Sequence, residues 1–510
     1  MQSTHAYANH GYESILQKWG TYGLIEVMQE TGTERYIGFY NDIIQWHYAP
    51  GNGFFEHNIG MLPLEWAPAG GRIAIVGAGG GRQVQYARKS GHDFEKITAI
   101  EIEPAVIEAV EGTLAERFDH VYQDRNVEVI NHEARSYMEK SDERFDLIYL
   151  PSVGGYPQMM LEPGNMIRTL EAYRTLSNHL TEKGVLAIWY PTVLDPRAIL
   201  TEQYMHTLES PEIGLAVRVF RNRGEFLILA ARRADSLPTL EDVQAFYLRP
   251  AVARVGAALA PLFVDMPVEP GKDWERSNFR PIRDDQPFLA GNVHNIFSMH
   301  QVGELFVLVA ALMACFALLL LLLVRKQGDP GIPGKSFSQV VLVSLFVGAN
   351  FLVIEHYLIL ALFSKLYVYR DALVLGAIGF LIITGLGSTF ITPRLRPLFQ
   401  VAGCLFILLL LLFHEQLSPW QNLALLAPVA FVTGSFFPAL FEAAAGNPLG
   451  VFAADSIGAA IGSMASFFIP IVFGFSWFFA FATFMFWATA LATFLFFRKR
   501  GTLPVRVPAS

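Results

Sequence analysis

Residues 72–81 read Arg-Ile-Ala-Ile-Val-Gly-Ala-Gly-Gly-Gly, and this stretch decides the fold of the N-terminal half of the chain. Its first five residues form a short apolar run typical of a buried strand, the glycines predict a turn, and residues 83–89 have a helical pattern. A second apolar strand, 97–100, ends at the acidic residue Glu101. Strand, turn, helix and strand in this order predict a βαβ unit with parallel strands.

Three glycines of this turn, Gly77, Gly79 and Gly81, follow the spacing GxGxG. A dinucleotide site would follow GxGxxG, but the sixth position is Arg82. GxGxG recurs in sites for nucleoside thioethers of the S-adenosylmethionine type, where glycines admit the ligand and an acid about 20 residues further on binds ribose hydroxyls. Glu101 lies 24 positions after Gly77 and fits that acid. The alternative is a glycine-rich turn that binds no ligand.

The alternation of strands and helices continues to about residue 190. Further strands are predicted over 126–130, 145–150 and 184–189, with a helix over 166–180 before the last of them. This order predicts a doubly wound α/β sheet, which binds its ligand at the carboxyl ends of the strands.

Charge divides the chain of 510 residues into two parts. Residues 301–510 hold only 11 basic and 7 acidic residues, whereas the first 300 hold 27 basic and 39 acidic residues, a net charge of −12. The first part has the composition of a soluble domain and the second that of a membrane domain. The acidic first part has no basic stripe, so we expect no nucleic acid partner. Both cysteines lie in apolar runs, so we expect no metal site.

Seven apolar runs in the second part are long enough, or nearly so, to cross a bilayer, which takes about 20 residues. They are 302–324, 338–363, 372–392, 398–413, 421–441, 449–473 and 475–497. The fourth run is short, so a count of six stays open, but we predict seven helices.

Basic residues in the connecting segments place the C-terminus in the cytoplasm by the positive-inside rule. Seven spans would then put the first 300 residues outside, although the N-terminus does not resemble a signal peptide. This conflict between the predicted orientation and the N-terminus has two solutions. Either the number of spans is even, or further membrane segments lie upstream of this chain or on a partner. The side of the soluble domain therefore stays open.

Few ionisable residues interrupt the apolar runs: Glu355, His356, Glu442 and Asp455. An acid inside a membrane either joins helices by hydrogen bonds or marks a pathway for protons or solutes. Gly458 and Gly462 form a GxxxG step, which predicts close contact between helices.

The motifs of the first part occur in the order found in spermidine synthases (polyamine aminopropyltransferases). GAGGG, the acid of IEIEP, EARSYM, FDLIYLP and LTEKGVLAIW carry this resemblance, which extends over about residues 30–290. Residues 35–45 resemble the small N-terminal β domain of that family, and 284–288 resemble its acidic DDxP segment. The second part, with FLVIEHYLILALF and ADSIGAAIGS, resembles the membrane region of large bacterial multi-pass proteins that contain a synthase-like domain.

The resemblance implies an α/β Rossmann-like soluble domain of the class I methyltransferase and spermidine synthase type, followed by an all-α polytopic membrane domain of about seven helices. We expect a small N-terminal segment over 1–65, the Rossmann domain over 66–300 and the membrane domain over 301–500. The implied ligand is S-adenosylmethionine or decarboxylated S-adenosylmethionine. The residues that carry over to its pocket are Gly77, Gly79, Gly81, Glu101, Glu133 and Gln45.

Two departures from the family concern catalysis. Pro151 stands where aminopropyltransferases have an aspartate that helps to deprotonate the attacking amine, and the glycine loop, which continues as Gly81-Arg82, lacks the aspartate of that family's GGGDGG. The catalytic residues are therefore unknown. The sequence predicts a transferase with an S-adenosylmethionine-type donor, which moves an aminopropyl or a methyl group. The alternative is a non-catalytic scaffold or ligand-sensing subunit, and transport through the helices ranks third.

The expected location is the inner membrane, with several spans in the lipid bilayer. Further partners would be another membrane protein or a second copy of the chain.

Overall fold

A computed structural model of the protein describes residues 11–41, 43–49, 59–153, 163–191, 199–221, 225–247, 264–265, 281–287, 337–443 and 448–498. The chain divides into two compact units, residues 1–291 and 292–510.

The first unit begins with a four-stranded antiparallel sheet in which each strand pairs with the next. Its strands are β1 (Tyr12–Trp19), β2 (Leu24–Glu30), β3 (Tyr36–Tyr40) and β4 (Ile43–Tyr48). The turn between β1 and β2 is closed by a 2.8 Å hydrogen bond from the Gly20 amide to the Gly23 carbonyl. This sheet corresponds to the small N-terminal β segment expected from the sequence.

An eight-stranded sheet forms the main body of the first unit, in the order β12-β10-β11-β9-β8-β5-β6-β7. The strands are β5 (Arg72–Val76), β6 (Lys96–Glu101), β7 (Val127–Asn131), β8 (Phe145–Pro151), β9 (Leu180–Pro191), β10 (Ala216–Arg221), β11 (Glu225–Ala231) and β12 (Val264–Asp265). Strands β5 to β9 are parallel, and β10 to β12 extend the sheet antiparallel. The unit is a mostly parallel, Rossmann-like sheet, as predicted.

Helices connect these strands and cover both faces of the sheet. They are α1 (Leu62–Trp66), α2 (Arg82–Lys89), α3 (Pro104–Glu108), α4 (Ala134–Met138), α5 (Pro163–Met166), α6 (Leu170–Asn178), α7 (Ile199–Leu208) and α8 (Leu240–Tyr247). Because side chains of a strand alternate between faces, Ile73 and Ile75 join one apolar core and Ala74 and Val76 join the other. A strand buried on both faces explains the unbroken apolar run in the sequence.

The helix predicted over 166–180 is two helices in the structure. Thr169 interrupts it because its hydroxyl accepts a 3.2 Å hydrogen bond from the Ala172 amide and caps the start of α6. Strand β9 also begins at Leu180, four residues before the apolar run that predicted it.

The second unit is all α-helical over its described residues. Its helices are α9 (Phe337–Leu366), α10 (Tyr369–Phe390), α11 (Arg396–Phe413), α12 (Pro419–Gly434), α13 (Phe436–Ala443), α14 (Pro448–Phe473) and α15 (Phe475–Arg498). Within the described residues they provide six segments long and apolar enough to span a membrane, with α12 and α13 sharing one of them. Each run predicted from residue 338 onwards is confirmed as helical, and the run 302–324 lies outside the described residues.

Glycines bring the helices of this unit into backbone contact. A Cβ atom on Gly458 of α14 would lie 2.1 Å from the Leu345 carbonyl oxygen of α9. A Cβ atom on Gly462 would lie 2.4 Å from the Ala349 carbonyl oxygen of the same helix. The close contact predicted from the GxxxG step is thus confirmed. From the first contact to the second, the residue number rises by four on α9 and by four on α14. The two helices therefore run parallel.

Candidate functional site

The glycine-rich turn joins β5 to α2 at the carboxyl edge of the sheet. Gly77, Gly79 and Gly81 all have positive φ angles, 71°, 53° and 81°. Other residues rarely adopt this left-handed backbone, so the three glycines of the motif are required by the shape of the loop.

Glu101, the last residue of β6, holds this loop in place. Its carboxylate accepts a 2.8 Å hydrogen bond from the Gly79 amide and a 3.0 Å bond from the Glu103 amide. The Tyr122 hydroxyl donates to the Gly79 carbonyl at 2.7 Å from the other side. Burial raises the pKa of Glu101. Each carboxylate oxygen has a second lone pair, so Glu101 can brace the loop and still accept a hydrogen bond from a ligand hydroxyl.

Glu133, expected near the adenine ring, lies at the start of α4. Its carboxylate accepts hydrogen bonds from the Arg135 amide at 3.0 Å and the Ser136 amide at 2.7 Å, and so caps the helix. Burial raises its pKa. Helix capping was not foreseen from the sequence, although an acid before an apolar helical stretch is a known capping signal.

Strand β4 of the N-terminal sheet lies against the glycine loop, but with a different residue from the one expected. Gln45 is exposed, whereas the neighbouring Trp46 packs on the loop. A Cβ atom on Gly80 would lie 2.5 Å from the Trp46 indole, and one on Gly79 would lie 2.9 Å from it. Trp46 was not expected here, because nothing in the sequence shows that β4 meets the loop.

Arg82, the first residue of α2, is buried next to the loop. Its guanidinium lies 5.8 Å from the centre of the Trp189 ring, near the end of β9. Burial lowers the pKa of Arg82 to about 10, which still leaves it cationic at neutral pH. The pKa of His47 on β4 falls to about 4 because of burial and because of the nearby Arg82 charge. His47 is therefore neutral at physiological pH.

The strand next to the loop, β8, ends at Pro151, which offers no acid or base at the carboxyl edge. The segment 154–162 that follows lies outside the described residues. Among the described residues no three His, Cys, Asp or Glu side chains are grouped so that they could hold a metal ion. The chemistry this edge offers is thus a braced glycine loop, a buried acid and a buried cation.

Comparison with known proteins bears on this architecture. Residues 54–201 match the model of the spermine/spermidine synthase domain. The spermidine synthase of Thermotoga maritima is 17% identical, with 48% of this chain and 83% of that chain covered and a TM-score of 0.36. A spermidine synthase in complex with the transition state analogue AdoDATO is also 17% identical, with 49% and 85% covered and a TM-score of 0.37.

A third similar structure is human methyltransferase-like protein 13 in complex with SAH. It is 15% identical, with 44% of this chain and 99% of that chain covered and a TM-score of 0.31. The domain match falls on the glycine loop, Glu101 and Glu133, the same residues that form the carboxyl edge of the sheet. The first unit of the chain therefore carries a spermidine synthase-like domain.

Proposed function

We propose that the first unit binds a nucleoside thioether of the S-adenosylmethionine type at its glycine loop and transfers a group from it, as part of a multi-pass protein of the inner membrane. The observation that carries this proposal is the hydrogen bond between the Gly79 amide and Glu101. It joins a loop that a ligand can approach closely to an acid that can bind ribose hydroxyls.

The reaction would be the attack of a neutral nucleophile on a carbon bonded to the positively charged sulfur. The new bond takes the lone pair of the nucleophile, the carbon–sulfur bond breaks, and its electron pair returns to the sulfur of a neutral thioether product. The nucleophile then loses a proton. Such a step is accelerated mainly by orientation and by removal of water, so it does not require an acid at the position of Pro151.

The group transferred follows from the donor. Decarboxylated S-adenosylmethionine would give an aminopropyl group and S-adenosylmethionine a methyl group. Arg82 is unfavourable for a polyamine acceptor close to α2, because both would be cationic. A methyl acceptor without positive charge meets no such repulsion.

A second candidate, a non-catalytic ligand-sensing subunit, is favoured by a specific observation. The two acids of the carboxyl edge, Glu101 and Glu133, accept backbone hydrogen bonds, and Pro151 supplies no base. These contacts suit a pocket that binds a nucleoside without turning it over.

Calorimetric titration of the full chain in detergent tests both candidates. The ligands are S-adenosylmethionine, its decarboxylated form and methylthioadenosine. We expect at least one of these ligands to bind. Its affinity should fall at least tenfold in Glu101→Ala. The affinity should be unchanged in Glu95→Ala, which changes an exposed acid of the same unit. If the protein binds a donor and also transfers its radiolabelled methyl or aminopropyl group, it is an enzyme. If it binds a donor without transferring the group, it is a sensor. Absence of binding by all three ligands contradicts both.

A further inference from the structure

One membrane span of the second unit is broken in its interior. The apolar segment Pro419–Glu442 is long enough to be a single helix, but α12 ends at Gly434 and α13 begins at Phe436. Pro438 explains the break, since it lies four residues after Gly434. The proline ring clashes with the carbonyl of that residue, and proline has no N–H to donate to it. The Gly434 carbonyl therefore lacks its usual helical partner.

The break lies inside the helix bundle. A Cβ atom on Gly434 would lie 1.9 Å from the Thr384 carbonyl oxygen of α10, so the two backbones are in contact. Thr433 and Ser435, on either side of Gly434, are each only 2% exposed. Ser435, the one residue between the two helices, keeps helical φ and ψ angles of −81° and −14°, so the break is a loss of helical hydrogen bonding and the backbone stays close to helical.

Asn350 of α9 presents a buried polar side chain at the same depth. It is 0% exposed, and neither its amide nitrogen nor its amide oxygen has a hydrogen-bond partner within the described part of the protein. The end of α9 and the start of α12 lie close together, because Lys365 near the end of α9 donates to the carbonyl of Glu415, four residues before α12, at 2.7 Å. From there Asn350 and Gly434 are each about 23 Å along their helices, at a rise of 1.5 Å per residue.

The two groups also face the same region. Helix α9 packs against both α12 and α13. Phe346, one turn before Asn350, accepts a hydrogen bond from Thr489 of α15, and Phe436 at the start of α13 contacts Phe486 of α15. Asn350 thus lies between α15 and the broken span.

We propose that Asn350 and the break at Gly434 form a binding site for a small uncharged molecule that both donates and accepts hydrogen bonds, such as a simple amide. Asn350 offers a donor and an acceptor, and Gly434 offers a carbonyl acceptor. Leaving such groups unsatisfied in the membrane interior is costly, and a polar ligand would satisfy them. Discontinuous helices at mid-membrane are a general feature of solute sites.

Two acids of the apolar helices, Asp455 and Glu355, lie on other faces of α9 than Asn350, and we therefore propose an uncharged ligand. Asp455 packs its backbone against Gly348. Because each residue turns an α-helix by about 100°, Gly348 is rotated by about 200° from Asn350 around the axis of α9, and Glu355 is rotated by about 140° from Asn350. Both therefore lie on other faces of α9 than Asn350. A charged ligand would have no counter-charge here among the described residues.

The test uses the full chain in lipid nanodiscs, with acetamide as the probe. We expect millimolar acetamide to raise the melting temperature in a saturable manner, and Asn350→Leu to remove this response. Ser344→Ala is the matched control, because Ser344 is equally buried on α9 and its hydroxyl is already bonded to the Val340 carbonyl. It should keep the full response.

A second variant keeps the test decisive if Asn350→Leu does not fold. Pro438→Ala restores an N–H for the Gly434 carbonyl, so it should weaken the acetamide response at least fivefold while the protein stays folded. An equal response in the wild type and both variants would overturn the proposal. So would no response at all, which would mean that only water satisfies Asn350.

Discussion

Gly79 is the residue on which the candidate site depends, because it bonds to Glu101 through its amide and touches Trp46 through its α-carbon. Gly79→Ala would place a Cβ atom 2.9 Å from the indole and would strain a positive φ angle. We expect it to lower stability by about 1 kcal/mol and to abolish nucleoside binding.

Gly91→Ala is the matched control for this prediction. Gly91 also has a positive φ angle, 78°, but nothing lies within 4 Å of the position of its Cβ. It should lose similar stability and keep its affinity for methylthioadenosine, measured by calorimetry. Equal losses of affinity in both variants would show that the loop is not the binding element.

His47 provides a prediction for pH. Its pKa is about 4 in the folded protein, against about 6.5 in an unfolded chain, so the unfolded state binds the proton more tightly. The stability from the neutral imidazole is complete above pH 6.5 and is lost as the pH falls towards 4, with a slope of up to about 1.4 kcal/mol per pH unit.

Melting curves of the full chain between pH 4 and 8 measure this slope. His47→Asn should flatten it within that window, whereas His120→Asn, which changes an exposed histidine, should not. A slope unaffected by His47→Asn would contradict the assignment.

The sequence predicted the positions of the glycines and Glu101 because loop geometry restricts those residue types locally. It predicted Glu133 as a pocket residue but not its helix cap. It did not predict Trp46, since the contact between β4 and the loop joins elements that are distant in the chain. Whether Gln45 and Glu133 bind a ligand stays a prediction.

At the scale of elements, Arg135 of α4 anchors the segment 281–287. Its guanidinium forms two parallel hydrogen bonds of 2.7 Å with the Asp284 carboxylate, and Thr169 donates to the same carboxylate at 2.6 Å. The Arg135 side chain is only 6% exposed, and its Nε also bonds to Glu139 at 3.1 Å. Removing the Asp284 charge would leave a buried guanidinium with one ion pair in place of two.

Asp284→Asn should therefore lower the stability of the full chain by about 2 kcal/mol. Asp235→Asn breaks an exposed ion pair with Arg233 and should leave the denaturant midpoint unchanged. The prediction fails if the two variants behave alike. The sequence placed 284–288 only by resemblance, since an ion pair across 149 positions leaves no local pattern.

Helix α10 offers a sharper test of packing in the membrane unit. A Cβ atom on Gly387 would lie 1.8 Å from the Phe431 carbonyl oxygen of α12, whereas nothing lies within 4 Å of that position on Gly385. Gly387→Ala should separate the two helices and lower the melting temperature in detergent. Gly385→Ala should leave it unchanged or raise it slightly, because alanine favours helix. Equal changes of the melting temperature in the two variants would contradict the close contact between α10 and α12.

At the scale of the whole molecule, the apolar runs were predictable because the bilayer sets the length of a span. The break of one span at Gly434 was not, since Pro438 lies within an otherwise continuous apolar run. Among the six described candidate spans, α9 is the most enclosed: 67% of the residues in its most apolar part are buried, against 22% for α10. Hydropathy alone does not rank spans in this way.

Six helices that each cross a membrane would start and finish on the same side of it. That side carries Arg394 between α10 and α11, Arg396 at the start of α11 and Arg498 at the end of α15. The opposite side carries Lys365 and Arg370 at the turn between α9 and α10 and has no Lys or Arg between α11 and α12. The positive-inside rule therefore predicts that residues 392–395 and the C-terminus are cytoplasmic and that 414–418 are not.

Fusions made at three positions measure this topology. Alkaline phosphatase should be active when fused after Glu415 and inactive when fused after Arg394, and a fluorescent protein fused after Arg498 should fold and fluoresce. The reverse pattern would contradict the predicted orientation. A phosphatase inserted after residue 291, with residues 292–510 retained behind it, then decides whether the run 302–324 crosses the membrane. Phosphatase activity there would mean seven spans and a synthase-like domain outside the cytoplasm, where S-adenosylmethionine-type donors are not made, and would count against the proposed transfer reaction.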